Sequence, residues 1–325
     1  TKPKVVVTGI TGYVGLWVTK LLLDQGKFSV RGTVRNPSDQ ETISNLKKAF
    51  GDKYNELEVV GADLMDEKSL TEAVKGATYV FHIASPFPAV SPKDEKEVIE
   101  PAVNGTTYIM NAAIAAGVKR VVLTSSSTCN YTYDGTPEVD ETNWPTIVES
   151  TLPYTKSKIL AEKAAWEIYE KNKGKIELVT INPSFIMGPS LVTKGFTSGD
   201  FLKATMLGVL PEHMKMYVDW VDVREVAQAH INALDVKDGN RYILSSTNMK
   251  HSEGAELLKE DWGKYGYNVV TKESTVDLIY SVRQVANNTK SVKELGIKYR
   301  PIRETLNDMV EAMIKEGLIP DLRNK

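Results

Sequence analysis

The stretch Thr8-Gly9-Ile10-Thr11-Gly12-Tyr13-Val14-Gly15 constrains this chain more than any other. It joins an apolar run, Lys4–Thr8, to a segment, 12–25, in which Val14, Trp17, Val18, Leu21 and Leu22 recur at helical spacing. A strand that turns through glycines into a helix opens a βαβ unit able to hold a pyrophosphate. Gly9 permits the tight turn, Gly12 lets a phosphate approach the backbone, and Gly15 lets the helix pack on the strand. The helix N-terminus adds unpaired N–H groups and a positive dipole. Thr11, Tyr13 and Val14 complete this candidate cradle.

The same alternation continues downstream. Short β-branched runs at Lys4–Thr8, Ser29–Val34, Leu57–Gly61, Tyr79–His82, 121–124 and 178–181 predict strands, and segments 69–75, 98–116 and 154–172 predict helices between them. The continuously apolar Val5-Val6-Val7 suits a strand covered on both faces. The expected fold class is α/β, a Rossmann-type doubly wound parallel sheet. Beyond Asn182-Pro183 the alternation lapses. Residues 184–220 read as loops with one helix near 200–208, followed by helices at 223–234, 252–265 and 302–316 and a short strand at 242–244. The expected division is a dinucleotide-binding domain with the catalytic residues at 1–183, and a smaller, mainly helical substrate region at 184–325 that returns some elements to the sheet.

Composition removes several classes of function. Lys+Arg 40 against Asp+Glu 42 leaves −2, so no general field recruits nucleic acid or an anionic membrane. The single cysteine, Cys129, forbids an intramolecular disulfide or a cysteine metal cluster, and the four histidines, His82, His213, His230 and His251, lack metal spacing. No metal is expected. No run of about 18 apolar residues predicts a membrane-spanning helix. The first strand begins almost at the first residue, which leaves no room for a signal peptide. The sequons at Asn104, Asn130 and Asn287 therefore read as chance matches, and a cytoplasmic protein, monomer or homodimer, is expected.

The end of the second strand selects the dinucleotide. A site for NAD places Asp or Glu there, about 20 residues past the glycines, on the ribose hydroxyls. Here the residues are Thr33-Val34-Arg35, with no acid until Asp39. A guanidinium pairs with a 2′-phosphate that a carboxylate would repel. The expected cofactor is NADPH.

Tyr154-Thr155-Lys156-Ser157-Lys158 opens a long helical segment just after Pro153. Tyr154 and Lys158 stand at i and i+4 and share one face, whereas Lys156 cannot. A phenol with a pKa of about 10 is a poor acid–base group near neutrality, and a nearby ammonium is expected to draw it down. Upstream, Val121-Val122-Leu123-Thr124-Ser125-Ser126-Ser127 sets hydroxyls at the C-terminal end of a strand, where open α/β sheets bind ligands. One serine there can hydrogen-bond a carbonyl oxygen as charge develops on it, while Ser125 and Ser127 are expected to cap the turn.

Together, TGxxGxxG, the serine of the Thr-Ser-Ser strand end and YxxxK resemble the signature of the extended short-chain dehydrogenase/reductases. The likeness extends to the branch of dihydroflavonol, cinnamoyl-CoA and fungal aldehyde (methylglyoxal) reductases. Val80-Phe81-His82-Ile83-Ala84-Ser85-Pro86 is similar to that branch's VFHxA[ST]P stretch, and Pro101–Thr106, Ala161–Trp166, Asn182-Pro183 and Val221–Arg224 match its habits. The resemblance implies a carbonyl reductase with Tyr154 as proton donor, Lys158 as its tuner and ribose clamp, and Ser126 as donor to the carbonyl. It also implies that Asp63 and Leu64 flank adenine, that Ala84 and Ser85 pass under the nicotinamide ribose, and that Pro183 and Ser184 belong to the cofactor site. Two departures stand out. Glu41-Thr42 occupies the place of a second basic residue, and Ala102 stands near the position of an asparagine that many related enzymes use.

A small carbonyl substrate is expected between Ser85–Ala89, 130–133 and 184–220, where Phe87, Tyr131, Phe185 and Phe196 suggest an apolar site. Two other functions compete. A nucleotide-sugar epimerase or dehydratase would share the trio but prefer NAD and an acid after strand two. A non-catalytic dinucleotide sensor would keep the glycines and lack the tyrosine–lysine pair.

Overall fold

The structure, a computed structural model, describes residues 2–86, 93–192 and 195–323; Phe87 and Ala89 lie outside them. Its strands are β1 (Lys4–Thr8), β2 (Ser29–Val34), β3 (Leu57–Gly61), β4 (Tyr79–His82), β5 (Arg120–Thr124), β6 (Glu138–Val139), β7 (Glu177–Pro183), β8 (Phe185–Met187), β9 (His213–Lys215), β10 (Tyr217–Asp222), β11 (Asn240–Leu244), β12 (Thr247–Lys250), β13 (Glu273–Asp277) and β14 (Val285–Ala286). The helices are α1 (Tyr13–Gln25), α2 (Gln40–Phe50), α3 (Glu67–Val74), α4 (Lys96–Ala115), α5 (Pro153–Lys171), α6 (Thr197–Met206), α7 (Val223–Asn232), α8 (His251–Trp262), α9 (Thr289–Glu294) and α10 (Ile302–Lys315).

Seven strands form one parallel sheet in the order β11-β7-β5-β4-β1-β2-β3. The chain works outward from β1 to β3, then crosses back to β4 on the other side of β1. That reversal opens a crevice beyond the C-terminal ends of β1 and β4, where such sheets bind ligands. Val5, Val6 and Val7 are each 0% exposed. Val5 and Val7 pack with Val18 and Leu22 of α1, while Val6 packs with Val80 and Ile109 on the opposite face. Alternate side chains of one strand thus feed two helix layers, which is why its sequence shows no polar positions.

Residues 184–220, expected as loops around one helix, hold α6 and also β8, β9 and β10. β10 lies between β8 and β12 in a second sheet. These strands are too short, three to six residues, for a period to stand out. Their ladder partners are moreover distant in sequence, and β10 carries a buried Asp219 that breaks its apolar pattern. A third core of Met187, Leu202, Trp220, Trp262, Met309 and Val310 joins this region to α10. The α2 segment has only Leu46, Ala49 and Phe50 buried, and Asp39 caps it by accepting from the Thr42 amide at 2.9 Å.

Candidate active site

The glycine turn shows a separate cause for each glycine. Gly9 has φ +72°, a left-handed conformation that a side chain rarely adopts. A Cβ on Gly15 would sit 2.2 Å from the Gly9 carbonyl oxygen, so helix and turn could not meet. A Cβ on Gly12 would touch only that same oxygen, at 3.4 Å, and otherwise points into open space. That space is a cavity of about 1450 Å³ bordered by Gly9, Thr11, Gly12, Tyr13, Val14 and Gly15. The first turn of α1 has no side-chain cap and no acid. Its amide N–H groups thus remain available to an anion. Tyr13 donates to the Gly188 carbonyl at 2.5 Å and packs at a tilt against Phe196, ring centres 4.3 Å apart, tying the cradle to the C-terminal region.

Arg35 borders the same cavity, exposed at the end of β2, and makes no ion pair with a described residue. The nearest downstream carboxylate, Asp39, is occupied as the α2 cap. Asp63 and Leu64 line the cavity beyond β3. Asp63 accepts from the Met65 amide at 2.8 Å, and Leu64 fills the hollow left by Gly105, where a Cβ would come within 2.8 Å of it.

Ala84 and Ser85 continue from β4 along the cavity. They are placed by Thr8, whose hydroxyl oxygen accepts from the Ile83 and Ala84 amides, each at 3.0 Å. With both lone pairs used, that hydroxyl donates to Nδ1 of His82 at 3.0 Å. His82 is therefore a neutral structural residue, and burial pushes its pKa down to about 3. Pro183 and Ser184 reach the cavity from the end of β7, where the Ser184 hydroxyl donates to the Leu244 carbonyl at 2.8 Å.

Ser126, Tyr154 and Lys158 converge on the same cavity. Ser126 follows β5, and its Oγ accepts from the Thr128 amide at 3.2 Å, which fixes the oxygen and leaves its proton to donate. The Lys158 ammonium lies 5.9 Å from the Tyr154 ring centre. The expectation that it draws the phenol down is not met. Burial pushes Tyr154 up to about 12, against the opposing effect of a hydrogen bond with Ser126. Burial also lowers Lys158 to about 8. Desolvation governs the phenol, which keeps its proton at neutral pH.

Ser125 does not behave as a simple turn cap. Ser125 donates to Glu162 at 2.5 Å inside a buried network, and the capping oxygen is that of Ser126. Asn130, expected in the substrate pocket, is 0% exposed and instead donates to the Asp140 carbonyl and accepts from Asn182. Tyr131, Phe185 and Phe196 do border the cavity, joined by Tyr133, Tyr217, Asp219 and Gln284. Gln284 sits in a stretch that no sequence motif marks.

A dinucleotide cradle that opens onto a half-buried, protonated phenol is the arrangement of a Rossmann-type oxidoreductase. Over residues 5–244, from β1 to the last residue of β11, the chain matches the NAD dependent epimerase/dehydratase family. Cinnamoyl-CoA reductase 1 of Petunia hybrida is 35% identical over 323 residues, 97% of this chain and 93% of that protein. The structure of the yeast methylglyoxal/isovaleraldehyde reductase complexed with NADPH matches with a TM-score of 0.82 at 29% identity, covering 97% of this chain and 100% of that one. Vestitone reductase from alfalfa (Medicago sativa) matches with a TM-score of 0.79 at 28% identity, covering 98% and 100%. The chain belongs to the NAD dependent epimerase/dehydratase family, that is, the extended short-chain dehydrogenase/reductases, in their dihydroflavonol and cinnamoyl-CoA reductase branch. Among the described residues no helix is long and apolar enough to cross a membrane.

Proposed function

We propose that this chain is an NADPH-dependent reductase of a small aldehyde or ketone. The observation that carries the reading is the half-buried, protonated Tyr154 beside Ser126 in the cavity onto which the glycine turn opens. The cavity exceeds the roughly 300–1,000 Å³ of a single small-molecule pocket, which suits a dinucleotide beside a substrate. The residues present fit the cofactor: Gly12 leaves a cradle that a Cβ would fill, α1 offers free amides, and Arg35 has no competing carboxylate. A reduced nicotinamide held there supplies a hydride to the carbonyl carbon. Ser126 orients the carbonyl oxygen by donating to it, Tyr154 gives that oxygen its proton, and Lys158 grips the ribose and keeps positive charge beside the phenol. In this division residues 1–183 serve the cofactor and residues 184–325 shape the substrate chamber.

An epimerase would retain the cofactor and favour an acid after β2, where Arg35 stands. A sensor would not need the Ser126–Tyr154–Lys158 convergence. Purified protein incubated with NADPH and a panel of aldehydes, ketones, flavanonols and CoA thioesters separates the three. Loss of reduced-nicotinamide absorbance supports the reductase, binding without turnover the sensor, and copurified NAD the epimerase.

Arg35→Asp is expected to turn preference toward NADH. A charge-assisted hydrogen bond contributes about 1.5–3 kcal/mol, so the NADPH-to-NADH ratio of kcat/KM should fall roughly tenfold to a hundredfold. Equal use of both cofactors by the wild type would contradict this role. Lys158 gives a second expectation. Its folded pKa of about 8 lies below the ordinary 10.5, so the folded protein loses this charge as pH rises through about 8. Affinity for NADPH should fall across that step, and Lys158→Met should bind more weakly with the step gone. By the same shift, folding stability rises with pH between about 8 and 10.5, since the unfolded chain still holds the proton.

A further inference from the structure

One wall of the substrate chamber has a shape that its local sequence does not favour. Tyr133 has φ +51° and is the one non-glycine residue with positive φ among the described residues. An L side chain adopts that conformation only at a cost, and such strain persists where the surroundings enforce it. The enforcing residue is Gln284, 151 positions away in sequence. Its Oε1 accepts from the Thr132 amide at 3.1 Å and the Tyr133 amide at 3.3 Å. Its Nε2 donates to the Thr136 carbonyl at 2.6 Å and the Thr132 hydroxyl at 3.3 Å. Gln284 is 6% exposed, so bonds lost there are not replaced freely by bulk water. Its own place is fixed by β14, which pairs with β6 and whose Ala286 amide donates to Asp219 at 3.3 Å. Held in this way, the Tyr133 ring stacks on Tyr131 at 5.8 Å and meets Tyr280 edge-on at 4.9 Å.

We propose that Gln284 is a positioning residue for substrate selectivity: it clamps the 132–136 loop so that the Tyr133 ring forms the wall against which the aryl part of a carbonyl substrate packs. The turnover arm of the test rests on the reductase reading; the binding arm does not. Gln284→Leu keeps the volume and removes all four bonds. With NADPH, the ratio of kcat/KM for benzylacetone over butanone should fall about tenfold, the loss entering through KM for benzylacetone rather than through kcat. Calorimetric titration with the two corresponding alcohols, which needs no turnover, should show the same loss for the aryl alcohol. Gln284→Glu keeps the acceptor for both amides and should recover part of the ratio. Tyr133→Gly, free to adopt the same backbone, should lose the ratio by itself, and adding Gln284→Leu to it should lower the ratio no further. An unchanged ratio with unchanged aryl-alcohol affinity in Gln284→Leu overturns the proposal, as does an equal effect of that substitution in the Tyr133→Gly background. Should Gln284→Leu fail to fold, Gln284→Glu carries the comparison: an intermediate ratio is expected, and the wild-type ratio overturns. A wild type that reduces no member of the carbonyl panel, yet binds the aryl alcohol more tightly than Gln284→Leu does, sinks the reductase reading and leaves this one standing.

Discussion

Tyr154→Phe is expected to lower the single-turnover rate of carbonyl reduction by roughly 10²–10⁴, the usual contribution of a positioned proton donor. Desolvation pushes the phenol's pKa up to about 12, so it holds a proton until the carbonyl oxygen gains enough charge to take it. Phenylalanine keeps the ring beside the Lys158 ammonium and removes the transferable proton alone. Affinity for NADPH should therefore stay nearly unchanged, in contrast with Lys158→Met. An NADPH titration beside the rate measurement separates the two roles. A phenylalanine variant with wild-type turnover would remove Tyr154 from the chemistry.

Glu162→Ala should cost about 3–5 kcal/mol of folding stability, the typical penalty for leaving one partner of a buried ion pair alone. Glu162 is 1% exposed and accepts from Arg241 at 2.6 Å, Ser125 at 2.5 Å, Asn182 at 2.9 Å, Trp166 at 3.1 Å and Thr180 at 3.2 Å. It thereby ties α5, which carries Tyr154 and Lys158, to β11 and to the ends of β5 and β7. Burial alone would raise this carboxyl, but Arg241 and the hydrogen bonds outweigh it and hold the pKa below the ordinary 4.5. With the folded pKa lowered, the stabilisation is fully present at neutral pH and is lost as pH falls through that lowered value. Urea denaturation of Glu162→Ala checks the magnitude. The double variant Glu162→Leu with Arg241→Leu should recover much of the loss, because no unpaired charge remains. If the double variant is as unstable as the sum of its singles, lost packing rather than the stranded guanidinium explains the cost.

The elements legible in the sequence share one physical property: their cause is local. The turn at Gly9, the helix after Gly12 and the strands β1 to β5 and β7 announce themselves through period and through backbone requirements of neighbouring residues. Tyr154 and Lys158 lie one helical turn apart, so their meeting follows from spacing. Much of the rest depends on distant partners. Strand β10 is a strand because β8 and β12 flank it, and Gln284 clamps a loop 151 positions away. The glutamate at 162 was visible within a familiar stretch, but its partner Arg241, 79 positions on, was not. The direction of the Tyr154 shift departs from the expectation for a related reason. Proximity of an ammonium can be read from i and i+4, whereas desolvation of the phenol is a property of the whole fold.

The most direct test of the central claim is a stopped-flow mixing of the purified protein, preloaded with NADPH, with excess aldehyde while the absorbance of the reduced nicotinamide is followed. Stoichiometric loss of that absorbance is expected, with one alcohol formed per cofactor oxidised and a rate that collapses in Tyr154→Phe. NADPH that stays bound and reduced across the whole carbonyl panel would contradict it.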